Sequence, residues 1–433
     1  MQITATERPP HYGYSIVQLV LSLLAVLFLW GAGLLFLGLG LISSLSGVAD
    51  LEQGFPGGGM EIWLIAGNFV ACGLLLLPSA YYAGRRIAGH PVPAGRQLPG
   101  WLRPTVLILA WPLVLLAGYF VSRDASLVFL IPPLHVLAVG LPVLWLVYLA
   151  ARGLPSGSPQ RAWGAFSSGL VLTPVLILII EMLALAACAG LAIAFMASQP
   201  ELLEQLNSLV LQITQGQLDQ EGLVRALVPW LEKPWVILVA LAFMAVIVPL
   251  IEEAFKPIGV WLLMGFGLSP AAGFALGAIC GAGFALFESL FMPSAGEGWT
   301  VVVVTRVSAG LIHILNTGLM GWALASAWRE KRYLRLGITY LFVVSLHGLW
   351  NALSLFSAVD EVLGQVGTQP VPRLIAWIGP LAPYLLVGIT VGIFALLLVM
   401  NRNLRLQQQR AALPRTTAPD APASEDEASQ PVL

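Results

Sequence analysis

The segment VPLIEEAFKPIG, residues 248–259, places two adjacent glutamates and a lysine inside a run that is otherwise apolar. This apolar run extends from about residue 235 to residue 264, which is longer than the roughly 20 residues that a helix needs to cross the hydrocarbon layer. A charged side chain at the centre of such a helix costs about 2.5–3.5 kcal/mol on insertion scales. Charges at this depth are therefore kept for a partner or for a function.

The composition of the whole chain matches that of a membrane protein. Of its 433 residues, 58% are hydrophobic and only 10% are charged, and the mean hydropathy is +0.86. Soluble domains carry about 25% charged residues. The net charge of −1 gives no indication of a nucleic-acid partner. Composition therefore predicts an integral membrane protein of several spans whose environment is the lipid bilayer.

Ten apolar runs have the length of a membrane span. Only helices and closed barrels satisfy backbone groups in lipid, and these runs are too long for barrel strands. The prediction is an all-α, polytopic transmembrane bundle of about ten spans. The runs are, in order, 15–45, 61–84, 104–121, 128–150, 167–197, 235–264, 271–291, 301–327, 336–357 and 374–400.

The connections between these runs alternate in charge. Arginine and lysine concentrate in 85–103, 151–163, 328–335 and the tail from 401, whereas the intervening connections are acidic or nearly neutral. Under the positive-inside rule, basic connections face the cytoplasm. The alternation therefore places both termini in the cytoplasm. The count of ten agrees, because an even number of crossings puts both termini on the same side.

The runs and connections divide the chain into five regions. Residues 1–198 form an N-terminal region of five spans, and 199–233 is an extracytoplasmic amphipathic segment of one or two helices. Residues 234–357 form a core of four spans, and 358–404 comprise an outer loop and the last span. The cytoplasmic tail, 405–433, is rich in Pro, Ala and acidic residues, which predicts disorder.

Ionisable side chains concentrate on spans 6 to 9. Lys256 is four residues from Glu252 and three from Glu253, so it can neutralise either carboxylate on one helix face. His347 and Asn351 are also four residues apart and share a face. Four consecutive spans with such residues predict one shared polar pocket. Its candidate members are Glu252, Glu253, Lys256, Glu288, Arg306, His313, Asn316, His347 and Asn351.

A pocket of this composition can hydrolyse a bond or bind a metal. Carboxylates can act as general bases or as metal ligands, and imidazoles can donate to an oxyanion or ligate a metal. The sequence contains no HExxH, no GxSxG and no paired intramembrane Asp of the presenilin kind. A structural ion cluster that holds the helices together is the alternative at this point of the argument.

Four motifs, in order on successive spans, resemble the PrsW-type family of intramembrane proteases. They are EExxK at 252–256, FxxxE at 284–288, His313, and HxxxN at 347–351. The resemblance covers about residues 235–357. The family is distantly similar to the CAAX-processing and bacteriocin-immunity proteases, which show EExxxR and FxxxH. This chain has its lysine one residue earlier and Glu288 in place of that histidine.

The resemblance implies an intramembrane endopeptidase in the bacterial cytoplasmic membrane, acting on membrane-anchored proteins such as single-span anti-sigma factors in signalling. It implies that Glu252 or Glu253 activates water, that Lys256 is their charge partner and that Asn351 orients a neighbour. Whether Zn²⁺ takes part is open, because no ligand pair has a spacing that requires a metal. The implied catalytic residues are Glu252, Glu253, Lys256, Glu288, His313, His347 and Asn351.

Three other classes of function remain open at the level of sequence. A proton-coupled transporter or channel is the main alternative, because the same Glu, Lys and His residues could relay protons. The polar residues lie in one half of the chain only, however, without the paired repeats of many transporters. A non-catalytic scaffold that keeps the pocket, and a haem protein that uses His313 and His347, are the others.

Overall fold

The computed structural model describes residues 12–46, 58–91, 103–216, 218, 220–292, 298–366 and 373–412. Within these ranges all regular structure is helical, which confirms the predicted all-α class. The helices are Tyr12–Ser46, Gly58–Ile87, Pro104–Leu107, Trp111–Val121, Ile131–Ala151, Pro159–Ser167, Thr173–Ala197, Pro200–Thr214, Gln220–Leu231, Pro234–Ala242, Val248–Phe255, Ile258–Trp261, Pro270–Leu290, Trp299–Glu330, Tyr333–Val366, Arg373–Ile378 and Ala382–Ala412. Short 3₁₀ or π turns join several of them: Ile108–Ala110, Ala125–Leu130, Ser168–Leu172, Phe243–Ile247 and Gly379–Leu381.

Ten helical segments in the described ranges are long and apolar enough to cross a membrane, as predicted. We number them spans 1 to 10 in chain order. They are Tyr12–Ser43, Gly59–Ile87, Pro104–Val121, Ser126–Ala151, Pro159–Ala197, Pro234–Trp261, Pro270–Leu290, Trp299–Glu330, Tyr333–Gly364 and Arg373–Ala411. Because consecutive spans cross in opposite directions, the turn between spans 8 and 9 lies at the end where span 1 begins and span 10 ends.

The predicted amphipathic segment is helical, and the predicted tail begins later than expected. Pro200–Thr214 and Gln220–Leu231 are two helices between spans 5 and 6. The last helix continues to Ala412, so residues 405–412 are helical where the sequence predicted disorder. The Leu, Gln, Arg and Ala residues of this stretch are strong helix formers, which extends the helix beyond its apolar part. The rest of the predicted tail, 413–433, lies outside the described residues.

Spans 7 and 8 form the centre of the bundle. They are the most buried spans: in an apolar stretch of 18 residues, 83% of span 7 and 61% of span 8 are buried. Gly273, Gly277 and Gly281 lie on one face of span 7, and a Cβ at any of them would collide with backbone carbonyls of span 8. Small residues at four-residue spacing let two membrane helices approach closely. This contact brings Glu288 and His313 into range of each other.

Span 6 is interrupted around its charged residues. The π turn Phe243–Ile247 precedes the helix Val248–Phe255, and Lys256 is the C-cap of that helix. A short helix, Ile258–Trp261, follows. Pro257 has no N–H, so the carbonyl of Glu253 loses its usual helical donor. The carbonyl of Lys256 accepts a hydrogen bond from Cys280 Sγ at 3.1 Å. The proline therefore interrupts the backbone hydrogen bonds of span 6 where the charges lie.

Candidate active site

Lys256 lies at the centre of the predicted cluster and is completely buried. Its Nζ is 2.5 Å from Glu252 Oε2 and 2.9 Å from Glu253 Oε1. It also lies 2.9 Å from His313 Nδ1. An ammonium group has three protons and accepts no hydrogen bonds. His313 Nδ1 therefore accepts from Lys256, whose Nζ also lies 3.4 Å from His347 Nδ1.

The two histidines have tautomers that these contacts determine. His313 Nε2 is 2.6 Å from Glu288 Oε2, so the imidazole accepts from Lys256 at one nitrogen and donates to Glu288 at the other. His347 Nδ1 donates to Glu253 Oε1 at 2.8 Å. No hydrogen bond to the described residues engages His347 Nε2. This nitrogen is therefore available as a proton acceptor or a ligand.

Glu288 joins the cluster from the C-terminal end of span 7. Arg306 NH2 is 2.9 Å from Glu288 Oε2, and Arg306 Nε donates to Ser289 Oγ at 3.2 Å. The His313 ring reaches Glu288 on one side and Lys256 on the other. The ring thereby connects Glu288 with the Glu252, Glu253 and Lys256 group. It does so although Glu288 lies near the end of span 7 and Glu252 lies deeper within span 6.

Phe284 explains the aromatic residue of the FxxxE motif. Its ring centroid is 5.1 Å from that of His313 in an edge-on arrangement. Lys256 Nζ lies over the same ring, 4.9 Å from its centroid. A cation over an aromatic face is attracted by the quadrupole of the ring. Phe284 thus holds both the lysine and the histidine in place.

The two asparagines predicted for the pocket differ in what their amides contact. Asn351 Nδ2 donates to the carbonyl of Met244 in the π turn, 2.9 Å away, and not to the ionisable cluster. Asn316 Nδ2 is 3.4 Å from Glu253 Oε1 and 3.2 Å from the carbonyl of Val343. Asn316 lies three residues after His313 on the same helix face, which is the signal that points to it.

Span 9 is seated on the irregular part of span 6. A Cβ on Gly348 would collide with the carbonyl of Ala245, which also lacks a helical donor because residue 249 is proline. Tyr340 donates to the carbonyl of Leu250 at 2.7 Å. Together with the bond from Asn351, these contacts hold span 9 along span 6 on both sides of His347.

Glu181 lies on span 5, in the helix that packs against the charged part of span 6. It lies within electrostatic range of Glu252, Lys256 and Glu288. Its Oε1 is buried and has no hydrogen-bond partner among the described residues. In the sequence, Glu181 stands out as a rare ionisable residue of the first five spans. That rarity indicates a role for it but does not show that it lies near span 6.

Glu252, Glu253 and His347 could hold a metal ion. Each offers a ligand atom, and these atoms lie within 4.8 Å of one another. Glu253 Oε2 is buried and has no hydrogen-bond partner in the described part of the chain. Two carboxylates and an imidazole fit Zn²⁺, which binds three protein ligands in catalytic sites and keeps a position open. Lys256, however, is paired with the same two carboxylates.

A protein-family model described as "PrsW family intramembrane metalloprotease" matches residues 162–378, half of the chain. The match begins in span 5 and includes spans 6 to 9, so it contains every predicted site residue as well as Glu181 and Asn316. No curated protein and no solved structure matches the chain. The match favours the protease prediction over the transporter, scaffold and haem alternatives. It leaves the predicted distant similarity to CAAX-processing proteases untested.

Proposed function

This chain belongs to the PrsW family of intramembrane metalloproteases, and we propose that it cleaves membrane-anchored proteins at the cluster around Lys256. It is an enzyme and an integral membrane protein with ten apolar spans in its described ranges. The observation that carries the proposed site is the convergence of two carboxylates of span 6 and an imidazole of span 8 on one buried ammonium group.

Glu252 is the proposed general base. Its side chain is 12% exposed, whereas that of Glu253 is fully buried. The Oε1 atom of Glu253 accepts hydrogen bonds from Lys256, His347 and Asn316. A carboxylate with three donors on one oxygen is suited to hold its neighbours in place. The more accessible carboxylate is better placed to take a proton from water as that water attacks a peptide carbonyl.

Lys256 and the histidines support this step. Lys256 compensates the charge of both carboxylates, so that two glutamates can lie side by side away from water. His347 Nε2 is free to accept a proton, and Glu253 orients the ring through Nδ1. A Zn²⁺ ion held by Glu252, Glu253 and His347 would supply Lewis-acid polarisation of water or of the carbonyl.

The substrate would enter from the side of spans 5 and 6. In an apolar stretch of 18 residues, only 6% of span 5 and 17% of span 6 are buried. The accessible carboxylates of the cluster are Glu252 and Glu288, the latter 35% exposed, and Glu181 of span 5 lies near both. The helices Pro200–Thr214 and Gln220–Leu231 connect these two spans and are placed to limit access at one end.

The proposed substrates are single-span membrane proteins, with anti-sigma factors as one class. The proposed location is the bacterial cytoplasmic membrane, with both termini in the cytoplasm, because basic residues concentrate in the connections at that end. A single apolar helix anchored in the same bilayer can reach a lateral opening by diffusion in the membrane.

The test is cleavage of a membrane-anchored reporter by purified enzyme in proteoliposomes. Glu252→Gln and Glu253→Gln should each abolish cleavage, because neither amide can act as a carboxylate base or charge partner. Glu361→Gln, at an exposed position on the outer part of span 9, is the matched control and should cleave normally. Cleavage that persists in both single variants and in the double variant would refute the site.

A further inference from the structure

The turn between spans 8 and 9 forms a groove far from the catalytic cluster. It has a volume of about 720 Å³ and is open to the surroundings of the protein. Along span 8 its basic turn lies 17 residues beyond His313, or about 25 Å at 1.5 Å per residue, and its wall reaches back towards the cluster as far as Leu319. We call it the turn groove. Its walls include Trp322, Lys331, Arg332, Arg335, Ile338 and Phe342.

The turn groove carries an excess of positive charge. Residues 329–335 contain three arginines and Lys331 but only one acid, Glu330. Glu330 Oε2 is 3.1 Å from Arg332 Nε and 3.4 Å from Arg335 NH1, so one carboxylate is shared between two guanidinium groups. Lys331 has no ion pair with any described residue. An anionic ligand would therefore meet uncompensated cations.

Arg335 is held in a fixed position. Its guanidinium lies over the ring of Trp322, 4.6 Å from the centroid. Its NH1 also donates to Ser326 Oγ at 2.9 Å. A guanidinium that is already ordered loses less conformational entropy when it binds a phosphate than a free surface arginine does.

Lys331 has a backbone conformation that lysine rarely adopts. Its φ of 61° makes it the one non-glycine residue with positive φ in the described part of the chain, and the other positive-φ positions there are glycines. This left-handed position ends span 8, where glycine or asparagine is usual. Because glycine would form this turn with less strain, the lysine side chain is a candidate for a functional role.

The walls below these cations are apolar and exposed. Ile338 and Phe342 are 60% and 46% exposed, and they follow one another along one face of span 9. Cations at the end of a span above an exposed apolar wall match an anionic headgroup above its acyl chain. A soluble phosphate compound would have no apolar chain to pack against this wall.

We propose that the turn groove binds an anionic phospholipid. Its phosphate is bound by Lys331, Arg332 and Arg335, and an acyl chain lies along Ile338 and Phe342. Basic pockets between spans on the cytoplasmic side are known sites for such headgroups. The groove lies at the end of the bundle where both termini lie, which the charge alternation assigns to the cytoplasm.

The experiment is native mass spectrometry of the full-length protein with phosphatidylglycerol or phosphatidylcholine. Phosphatidylglycerol should bind clearly tighter, because only its headgroup has a net charge. Lys331→Gly should weaken its binding by roughly fivefold, and Lys331→Gly with Arg332→Gln by roughly thirtyfold. These values assume that each cation removed weakens binding by about fivefold. Phosphatidylcholine binding should not change. Lys331→Gly suits the test because glycine adopts this φ without steric strain. The melting temperature of the variant should therefore be no lower than that of wild type.

Arg123→Gln is the matched control. Arg123 also stacks on an aromatic ring, at 3.7 Å from the centroid of Tyr119, but it lies at the opposite end of the bundle. It should leave phosphatidylglycerol binding unchanged. Equal binding of the two lipids, or unchanged binding in the double variant, would overturn the proposal. Binding that emerges only after removal of residues 413–433, which contain several acids, would assign the groove to that segment and overturn it as well.

Discussion

Replacement of Lys256 by methionine should make the enzyme bind Zn²⁺ more tightly while making the metal-free protein less stable. Lys256 Nζ is within 2.9 Å of a carboxylate oxygen of both Glu252 and Glu253. The same two glutamates, with His347, form the group that could hold a metal. The ammonium and a divalent cation thus require the same oxygens, and one must leave before the other can bind fully.

The magnitude follows from the burial of the pair. Lys256 and Glu253 are both fully buried, and removal of one partner of a buried ion pair costs about 3–5 kcal/mol. The metal-free Lys256→Met protein should lose stability by about that amount. If Zn²⁺ recovered all of it, its affinity would rise by roughly two to four powers of ten, at about 1.4 kcal/mol per tenfold. Neighbouring side chains adjust in part, so at least a tenfold increase is the expected result.

The assay is equilibrium dialysis against Zn²⁺ in detergent, together with thermal melts with Zn²⁺ and with a chelator. Lys256→Gln is the second variant, for the case that methionine prevents folding. Arg306→Gln is the control, because it removes a cation that is paired with Glu288, outside the group that could hold the metal. Its Zn²⁺ affinity should equal that of wild type. Folded Lys256 variants that bind Zn²⁺ no tighter than wild type would refute the competition.

Three further predictions concern the same cluster. Glu253→Gln should lower the melting temperature more than Glu252→Gln does, since Glu253 accepts three hydrogen bonds while Glu252 is partly exposed; equal melts would contradict this. Gly348→Ala should reduce reporter cleavage and stability together, because the added methyl group collides with a carbonyl of span 6; a wild-type cleavage rate would count against this docking. Asn316→Ala should reduce cleavage more than Asn351→Ala does, and cleavage assays that rank them in the reverse order would reject the assignment.

The predicted site residues differ in how well their positions could be foreseen. Glu252, Glu253 and Lys256 meet as expected, because spacing along one helix determines which side chains share a face. His313 and His347 reach them because both spans are packed against span 6. Asn351 does not, because span 9 is rotated so that this amide faces the π turn. Spacing on span 9 shows that His347 and Asn351 point the same way. It does not show which residues of span 6 each of them contacts.

The sequence by itself determined the class of the protein, its ten spans and the four spans that carry its polar chemistry. These are local properties: hydropathy over about 20 residues decides whether a helix can cross lipid, and the cost of an intramembrane charge marks the residues that matter. Only the tertiary structure decided that Lys256 lies at the centre and that Glu181 lies near the cluster. It also decided that Asn316 and not Asn351 contacts Glu253, and that Glu252 is more accessible than Glu253. Such contacts depend on how closely neighbouring helices approach and how they are rotated against each other, which are relations between spans that the sequence of one span does not contain.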